Sequence, residues 1–140
     1  MKKPTDDLWN EMLGTDTVDE FFENNLDEIV FNGLPDLVNY FINAKGLKKS
    51  TVFEDAMIER HFGYQILNGT RNPSRDKVLQ LCFGLKLNLS EAQRLLKVGG
   101  YRELYIREPR DAVIIFALKD GKSLVEANIK LEEKKLSLFE

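Results

Sequence analysis

The chain has 140 residues and a formal net charge of −3, with 43% apolar and 31% charged residues. This length suits one domain with short additions, and the apolar content is enough for a hydrophobic core. No apolar run approaches the length of a bilayer-spanning helix, and no apolar stretch follows the N-terminal lysines, so we expect neither a membrane segment nor a secretory signal. Cys82, the only cysteine, lies in the apolar stretch Leu-Gln-Leu-Cys-Phe and is predicted to be a core residue of a cytoplasmic protein.

The charges are unevenly distributed along the chain. Residues 1–36 carry two lysines and ten acids, residues 37–107 carry twelve basic and six acidic residues, and residues 108–140 carry six basic and seven acidic residues. A basic centre between an acidic head and a nearly neutral tail favours a local contact with nucleic acid. The alternative is that charges merely segregate along helices by chance.

All predicted elements are helices, and in chain order they cover residues 5–13, 17–25, 35–45, 49–56, 60–68, 74–86, 90–98, 109–119 and 123–134. Capping boxes are predicted at Thr17-x-x-Glu20, Ser90-x-x-Gln93 and Ser123-x-x-Glu126. Apolar stripes at helical spacing end at glycines, which predict helix termini at Gly46, Gly69, Gly99, Gly100 and Gly121. Since no stretch alternates strictly between apolar and polar residues, the predicted class is all-α, with an extended connector at 101–108.

The stretch from Gly46 to Ser74 reads as two short helices around a tight turn, followed by a glycine stop and a basic loop. It resembles the Cro/lambda-repressor (xenobiotic-response-element) family of helix-turn-helix domains. In that family a Gly-Leu precedes the first motif helix, as Gly46-Leu47 does here. The second helix ends in a glycine followed by a basic residue, Asn, Pro and Ser, as in Asn68-Gly69-Thr70-Arg71-Asn72-Pro73-Ser74. The resemblance implies a lambda-repressor-like five-helix domain over residues 34–100.

Three features depart from the family pattern. Lys49 replaces the Gln that often opens the first motif helix, and Met57 stands in the turn where a glycine with positive φ is usual. A methionine in that conformation costs roughly 1 kcal/mol, unless the turn itself differs. Phe53 occupies a site normally held by Ala, whereas Gly63 stands where the family buries an Ile or Val. We predict that the Phe53 ring fills the space beside Gly63, which preserves the total core volume.

The resemblance implies that the second motif helix lies in the DNA major groove, so that Arg60, His61 and Gln65 read base edges. The expected contacts with the DNA backbone come from the helix starts and the loop: Lys48, Lys49, Ser50, Tyr64, Arg71, Asn72, Arg75 and Lys77. The base-reading residues could instead form a solvated helix face, and Arg71 or Arg75 could pair with Asp76 or Asp55. Glu59 repels phosphate unless it caps its helix or reads a cytosine amine.

The expected function is sequence-specific DNA binding by a bacterial or phage-type transcriptional regulator. The alternative is a protein–protein interaction module that keeps the helix-turn-helix scaffold without reading DNA. We expect residues 1–33 to form an acidic helical arm that packs as additional core, binds a protein partner, or lies near the basic face and competes with DNA. Its apolar residues are Leu8, Trp9, Met12, Leu13, Phe21 and Phe22. In residues 101–140, a connector and a C-terminal helical hairpin extend the core or form a homodimer interface. Since no catalytic constellation or metal-ligand set is visible, we expect no enzyme, cofactor or metal.

Overall fold

The computed structural model of the protein describes residues 5–14, 17–25, 31 and 33–140. Within these residues the chain forms α-helices and no β-strand, which confirms the all-α class. The helices are α1 (Thr5–Leu13), α2 (Val18–Asn24), α3 (Leu34–Ala44), α4 (Lys49–Asp55), α5 (Arg60–Leu67), α6 (Arg75–Gly84), α7 (Leu89–Val98), α8 (Pro109–Lys119) and α9 (Leu124–Glu133). Parts of the predicted acidic arm, at residues 1–4, 15–16, 26–30 and 32, lie outside the described residues. None of the helices in the described ranges is long and apolar enough to cross a membrane.

The chain divides into two compact units, residues 1–31 and residues 32–140. The first unit contains α1 and α2, and the Thr17 hydroxyl caps α2 by accepting a hydrogen bond from the Glu20 N–H at 3.1 Å. The buried Asn25 amide donates to the Glu11 carboxylate and to the Phe21 carbonyl, which ties the end of α2 to α1. The second unit contains α3 to α9, so the C-terminal hairpin belongs to the same unit as the motif helices.

Of the three predicted capping boxes, the one at Thr17 and Glu20 is half formed, by the bond from the Glu20 N–H to the Thr17 hydroxyl, and one needs correction. Ser123 and Glu126 form the predicted capping box at the start of α9. The box predicted at Ser90 and Gln93 is wrong, because Asn88 and Glu91 form it instead, two residues earlier. The Gln93 side chain is used elsewhere: it accepts from the Leu104 N–H at 2.7 Å and donates to the Leu104 carbonyl at 2.9 Å. Gln93 therefore fixes the non-helical connector to α7.

Helix α6 lies at the centre of the second unit and packs against α4, α7 and α9. Every residue from Val78 to Gly84 is buried, including Cys82, as predicted for that thiol. Burial raises the pKa of the Cys82 thiol, so the cysteine is un-ionised at neutral pH. Helix α3 packs against α5 and α7, and α4 packs against α5.

The hairpin α8–α9 extends this core. Ile114, Leu118, Leu124 and Leu131 are all buried, and the two helices contact α7 and α6, respectively. The C-terminal residues fold back over the same region, where the buried Phe139 ring meets Phe83 edge-on at 6.2 Å between ring centroids. Of the two roles that the sequence left open for the hairpin, extension of the core is thus confirmed.

A nearly buried ion pair joins the start of α6 to the start of α8. The Arg75 guanidinium donates to both Asp111 oxygens, from Nη1 at 3.2 Å and Nη2 at 3.0 Å, and Asp111 is only 1% exposed. The Tyr105 N–H also donates to the Asp111 carboxylate, at 3.0 Å. Burial alone would raise the pKa of Asp111, but the hydrogen bonds from Arg75 and Tyr105 and the charge of Arg75 outweigh it, and the pKa is lowered.

We expect Asp111→Asn to lower the free energy of unfolding by about 3 kcal/mol, because the substitution leaves Arg75 without its counter-charge. Since the folded-state pKa of Asp111 is lowered, the stabilisation from its ionised form is complete above the ordinary Asp value of about 4 and is lost as the pH falls through the folded-state value. Urea unfolding of the wild type and of Asp111→Asn, from neutral to acidic pH, measures this pH dependence of the free energy of unfolding. The difference between wild type and variant should be constant near neutrality and shrink below about pH 4.

The matched control is Asp120→Asn, which changes an exposed acid at the end of the same helix and should alter stability by less than about 0.5 kcal/mol. Equal effects of the two substitutions, or an Asp111 effect that does not vary with pH, would contradict the role given to this ion pair.

Candidate nucleic-acid interface

Helices α4 and α5 are joined by a tight turn at residues 56–59. Met57 has a φ of 55°, so of the two alternatives that the sequence left open, a left-handed methionine or a different turn, the structure has the left-handed methionine. Its N–H donates to the Glu54 carbonyl at 3.1 Å, and the Ile58 N–H donates to the Phe53 carbonyl at 2.9 Å. These bonds close the C-terminus of α4 in the way that a left-handed residue after a helix permits.

The predicted exchange of volume between Phe53 and Gly63 is present in the structure. A Cβ atom built on Gly63 would lie 2.6 Å from two carbon atoms of the Phe53 ring, far inside van der Waals contact. Phe53 is buried, and its ring also meets Tyr64 edge-on at 5.2 Å between centroids. The Phe53 ring therefore determines how closely α4 and α5 approach each other, and it packs against the Tyr64 ring.

The acidic residue before α5 caps that helix. The Glu59 carboxylate accepts hydrogen bonds from the His61 and Phe62 N–H groups, both at 2.9 Å. These two bonds hold the pKa of Glu59 below its usual value. Of the readings that the sequence left open for Glu59, the structure selects the helix cap. The first amides of α5 are consequently occupied by the protein's own carboxylate.

The predicted base-reading residues lie outside the core of the unit. Arg60 and His61 are exposed and Gln65 is partly exposed, whereas Gly63 and Ile66 are buried. His61 and Gln65 are four residues apart and so share one face of α5, and Arg60 adjoins them at the first helical position. Helix α5 thus presents a guanidinium, an imidazole and an amide away from the core.

The predicted backbone-contacting residues divide into two groups. Six remain at the surface around α4 and α5, fully or partly exposed: Lys48, Lys49, Ser50, Tyr64, Arg71 and Asn72. The Arg71 guanidinium lies over the Phe62 ring at 5.7 Å from its centroid, and not beside Asp76 or Asp55 as the alternative had it. Those two acids bind other residues, since Asp76 pairs with Arg110 at 2.8 Å and Asp55 with Lys86 at 3.3 Å.

The other two predicted contacts, Arg75 and Lys77, have partners within the protein. Besides binding Asp111, Arg75 donates to the carbonyls of Arg102 and Glu103, at 3.1 and 3.3 Å. The Lys77 ammonium donates to the Glu140 carbonyl at 2.8 Å. The Arg75 guanidinium is thus held by four internal hydrogen bonds and the Lys77 ammonium by one, which makes these two predicted contacts less available to phosphate than the six at the surface.

Two residues that the sequence did not single out position the motif. The buried Gln80 amide donates to the Ala56 carbonyl at 2.9 Å and to the Glu140 carbonyl at 3.2 Å, so it connects the motif turn to the C-terminal segment. Gly84 permits the close approach of α4 to α6, since a Cβ atom there would overlap the Val52 carbonyl oxygen. Of these two residues, only Gly84 could have been found from the sequence, because a glycine inside a predicted helix indicates a packing constraint.

No protein-family model matches the chain, and no curated protein or solved structure matches it either. Within the described part of the chain, no three His, Cys, Asp or Glu side chains are grouped so that they could hold a metal ion.

We expect Gly63→Ala to lower the free energy of unfolding by about 1–3 kcal/mol, because the new methyl group overlaps the Phe53 ring. The sign of this change identifies the overlap, since Gly→Ala inside a helix otherwise raises the free energy of unfolding by up to about 1 kcal/mol. In the Phe53→Ala background the same change should be neutral or stabilising. Additive effects in this double-mutant cycle, measured by urea unfolding, would show that the two residues do not share one space.

We expect Met57→Gly to exceed Met57→Ala in free energy of unfolding by about 1 kcal/mol, because glycine adopts a φ of 55° without steric cost. Met57 is 45% exposed, and the packing of its buried part is lost equally in both variants. Met57→Ala keeps the Cβ atom and is therefore the matched control. Thermal unfolding in which alanine stabilises as much as glycine would contradict this explanation.

Proposed function

We propose that the protein is a sequence-specific DNA-binding transcriptional regulator in which α4 and α5 form a helix-turn-helix and α5 is the recognition helix. The observation that carries this proposal is the pair of short helices closed by a left-handed residue, with Arg60, His61 and Gln65 directed away from the core on the second helix. A helix that presents such side chains can enter the major groove, where Arg suits guanine and Gln suits adenine. In this proposal, α3–α7 are the five helices of the domain expected from the Cro/lambda-repressor resemblance.

Charge around the motif supports the same function. The described residues include no carboxylate partner for Lys48, Lys49, Arg60 or Arg71, whereas Lys45 and Lys86 pair with Glu91 and Asp55. Unpaired cations bind phosphate at low desolvation cost and release counterions from DNA. The Glu59 carboxylate is less unfavourable beside DNA than the sequence suggested, because its two oxygens already accept helix amides.

The proposed contacts have different roles. Arg60, His61 and Gln65 read bases, and Lys48, Lys49, Ser50, Tyr64, Arg71 and Asn72 hold the DNA backbone. The Tyr64 ring packs against Phe53, and the Arg71 guanidinium packs on Phe62. Both side chains are therefore partly ordered in the free protein. This preorganisation reduces the entropy lost when they bind.

The test is selection of fragmented genomic DNA on the purified full chain, at salt concentrations of about 50 and 200 mM. We expect enrichment of one short motif, weaker at the higher salt and lost in the double variant Arg60→Ala/Gln65→Ala. Loss of a base contact should cost about 1–3 kcal/mol at the affected position. By contrast, Arg71→Ala should weaken binding to all sequences and lower the salt slope by about one.

The matched control is Lys97→Ala, which removes one positive charge from the exposed surface of α7 and should leave selection unchanged. Enrichment that survives in the Arg60→Ala/Gln65→Ala variant would overturn the assignment of α5 as the reading helix. A folded protein that enriches nothing at either salt concentration would overturn DNA binding and favour the alternative, a protein–protein interaction module on the same scaffold.

A further inference from the structure

The connector between α7 and α8 lies beside the loop that follows the proposed recognition helix. That loop contains Arg71 and Asn72, two of the residues proposed to hold the DNA backbone. The Tyr101 hydroxyl, at the start of the connector, donates a hydrogen bond to the Pro73 carbonyl of the loop. The connector is therefore fixed at a position adjacent in sequence to Asn72.

Arg75 binds the next two residues of the connector. Its guanidinium donates from Nε to the Arg102 carbonyl at 3.1 Å and from Nη2 to the Glu103 carbonyl at 3.3 Å. Asp111 binds the same guanidinium, so Arg75 is itself held in place. The residue that the sequence assigned to the DNA backbone thus holds the connector against the start of α6.

Further hydrogen bonds fix the rest of the connector backbone. The Gln93 side chain binds both the N–H and the carbonyl of Leu104, and the Tyr105 N–H donates to Asp111. Each residue from 102 to 105 therefore has a backbone group bound by a side chain of a helix. A segment held in this way presents its exposed side chains with little loss of backbone entropy on binding.

The Arg102 side chain is exposed, and only its backbone carbonyl takes part in these bonds. The acids around the start of α6 have other partners, since Asp76 pairs with Arg110 and Asp111 pairs with Arg75. Within the described ranges of the chain, no ion pair involves the Arg102 guanidinium. It is thus a positive charge available for binding, beside the loop that follows α5.

The next residue along the connector has the opposite charge. Glu103 is exposed as well, and its carboxylate repels phosphate. The Tyr101 bond to the loop is adjacent in sequence to Arg102 and one residue farther from Glu103. If this part of the connector lies beside DNA, the two neighbouring side chains affect binding with opposite signs.

We propose that Arg102 is a further contact to the DNA backbone, presented by the connector beside Arg71. It supplies near this loop the positive charge that Arg75 was predicted to supply. A guanidinium can donate two parallel hydrogen bonds to a phosphate, and such a contact does not read sequence. The inference rests on the proposed function, and it extends the DNA-contacting surface beyond α3–α7.

The experiment is fluorescence anisotropy of the full chain on two labelled duplexes of about 25 base pairs, at salt concentrations of about 50–200 mM. One duplex carries the motif that genomic selection enriches, and the other has a mixed sequence. At about 0.1 M salt, Arg102→Ala should raise the Kd about fivefold to tenfold on both duplexes and lower the salt slope by about one. Arg60→Ala/Gln65→Ala should act mainly on the duplex with the enriched motif.

Three further variants serve as controls. Arg102→Lys keeps the positive charge and should keep the wild-type salt slope, with a Kd closer to wild type than that of Arg102→Ala. Glu103→Gln removes a repulsive charge and should lower the Kd. Lys97→Ala removes an exposed charge from α7 and should change neither quantity. Thermal unfolding should be the same for Arg102→Ala and wild type, because the Arg102 side chain holds no part of the fold.

The outcomes separate this inference from the function on which it rests. A wild-type protein that binds neither duplex would overturn DNA binding itself. If the wild type binds but Arg102→Ala keeps its Kd and salt slope, only the role of Arg102 is wrong. A loss confined to the enriched duplex, or one that Arg102→Lys shows in full with the same reduced slope, would also contradict a contact to the backbone.

Discussion

Helix α6 is buried on every side from Val78 to Gly84, and this constraint arranges the other helices of residues 32–140 around it. A helix that is apolar all round must be covered all round. Helix α4 packs against α6 at Gly84, and α7 and α9 also pack against α6. The one buried amide on α6, that of Gln80, satisfies the carbonyl of Ala56 at the motif turn, so α6 also fixes where the turn lies.

The motif keeps its geometry through compensation. Phe53 is larger than the close approach of two short helices ordinarily allows, and the absence of a side chain at Gly63 makes room for its ring. Met57 accepts a left-handed φ, and Glu59 satisfies two amides that would otherwise be free at the start of α5. The bulk of Phe53 is thus matched by Gly63, whereas Met57 keeps its left-handed strain, and Arg60 and His61 remain exposed on α5.

The C-terminal hairpin connects to the motif through polar side chains as well as through the core. Arg75 and Lys77, on the first turn of α6, bind Asp111 and the Glu140 carbonyl, while Arg110 binds Asp76 with two hydrogen bonds and lies over the Phe139 ring at 4.6 Å. The hairpin thus binds Arg75, and the segment after it binds Lys77.

Much of the local structure was determined by the sequence alone. Helical periodicity, capping residues and glycines predicted every described helix to within about two residues, because these signals act over a single turn. The Phe53–Gly63 exchange and the left-handed Met57 were also predictable, since a motif with known spacing brings those residues together. Only the tertiary structure decided which cations remain free, which carbonyls accept from the Gln80 amide, and which face of the hairpin stays uncovered. Those outcomes depend on partners such as Asp111, 36 residues from Arg75, and Glu140, 60 residues from Gln80, and no local pattern encodes contacts over such separations.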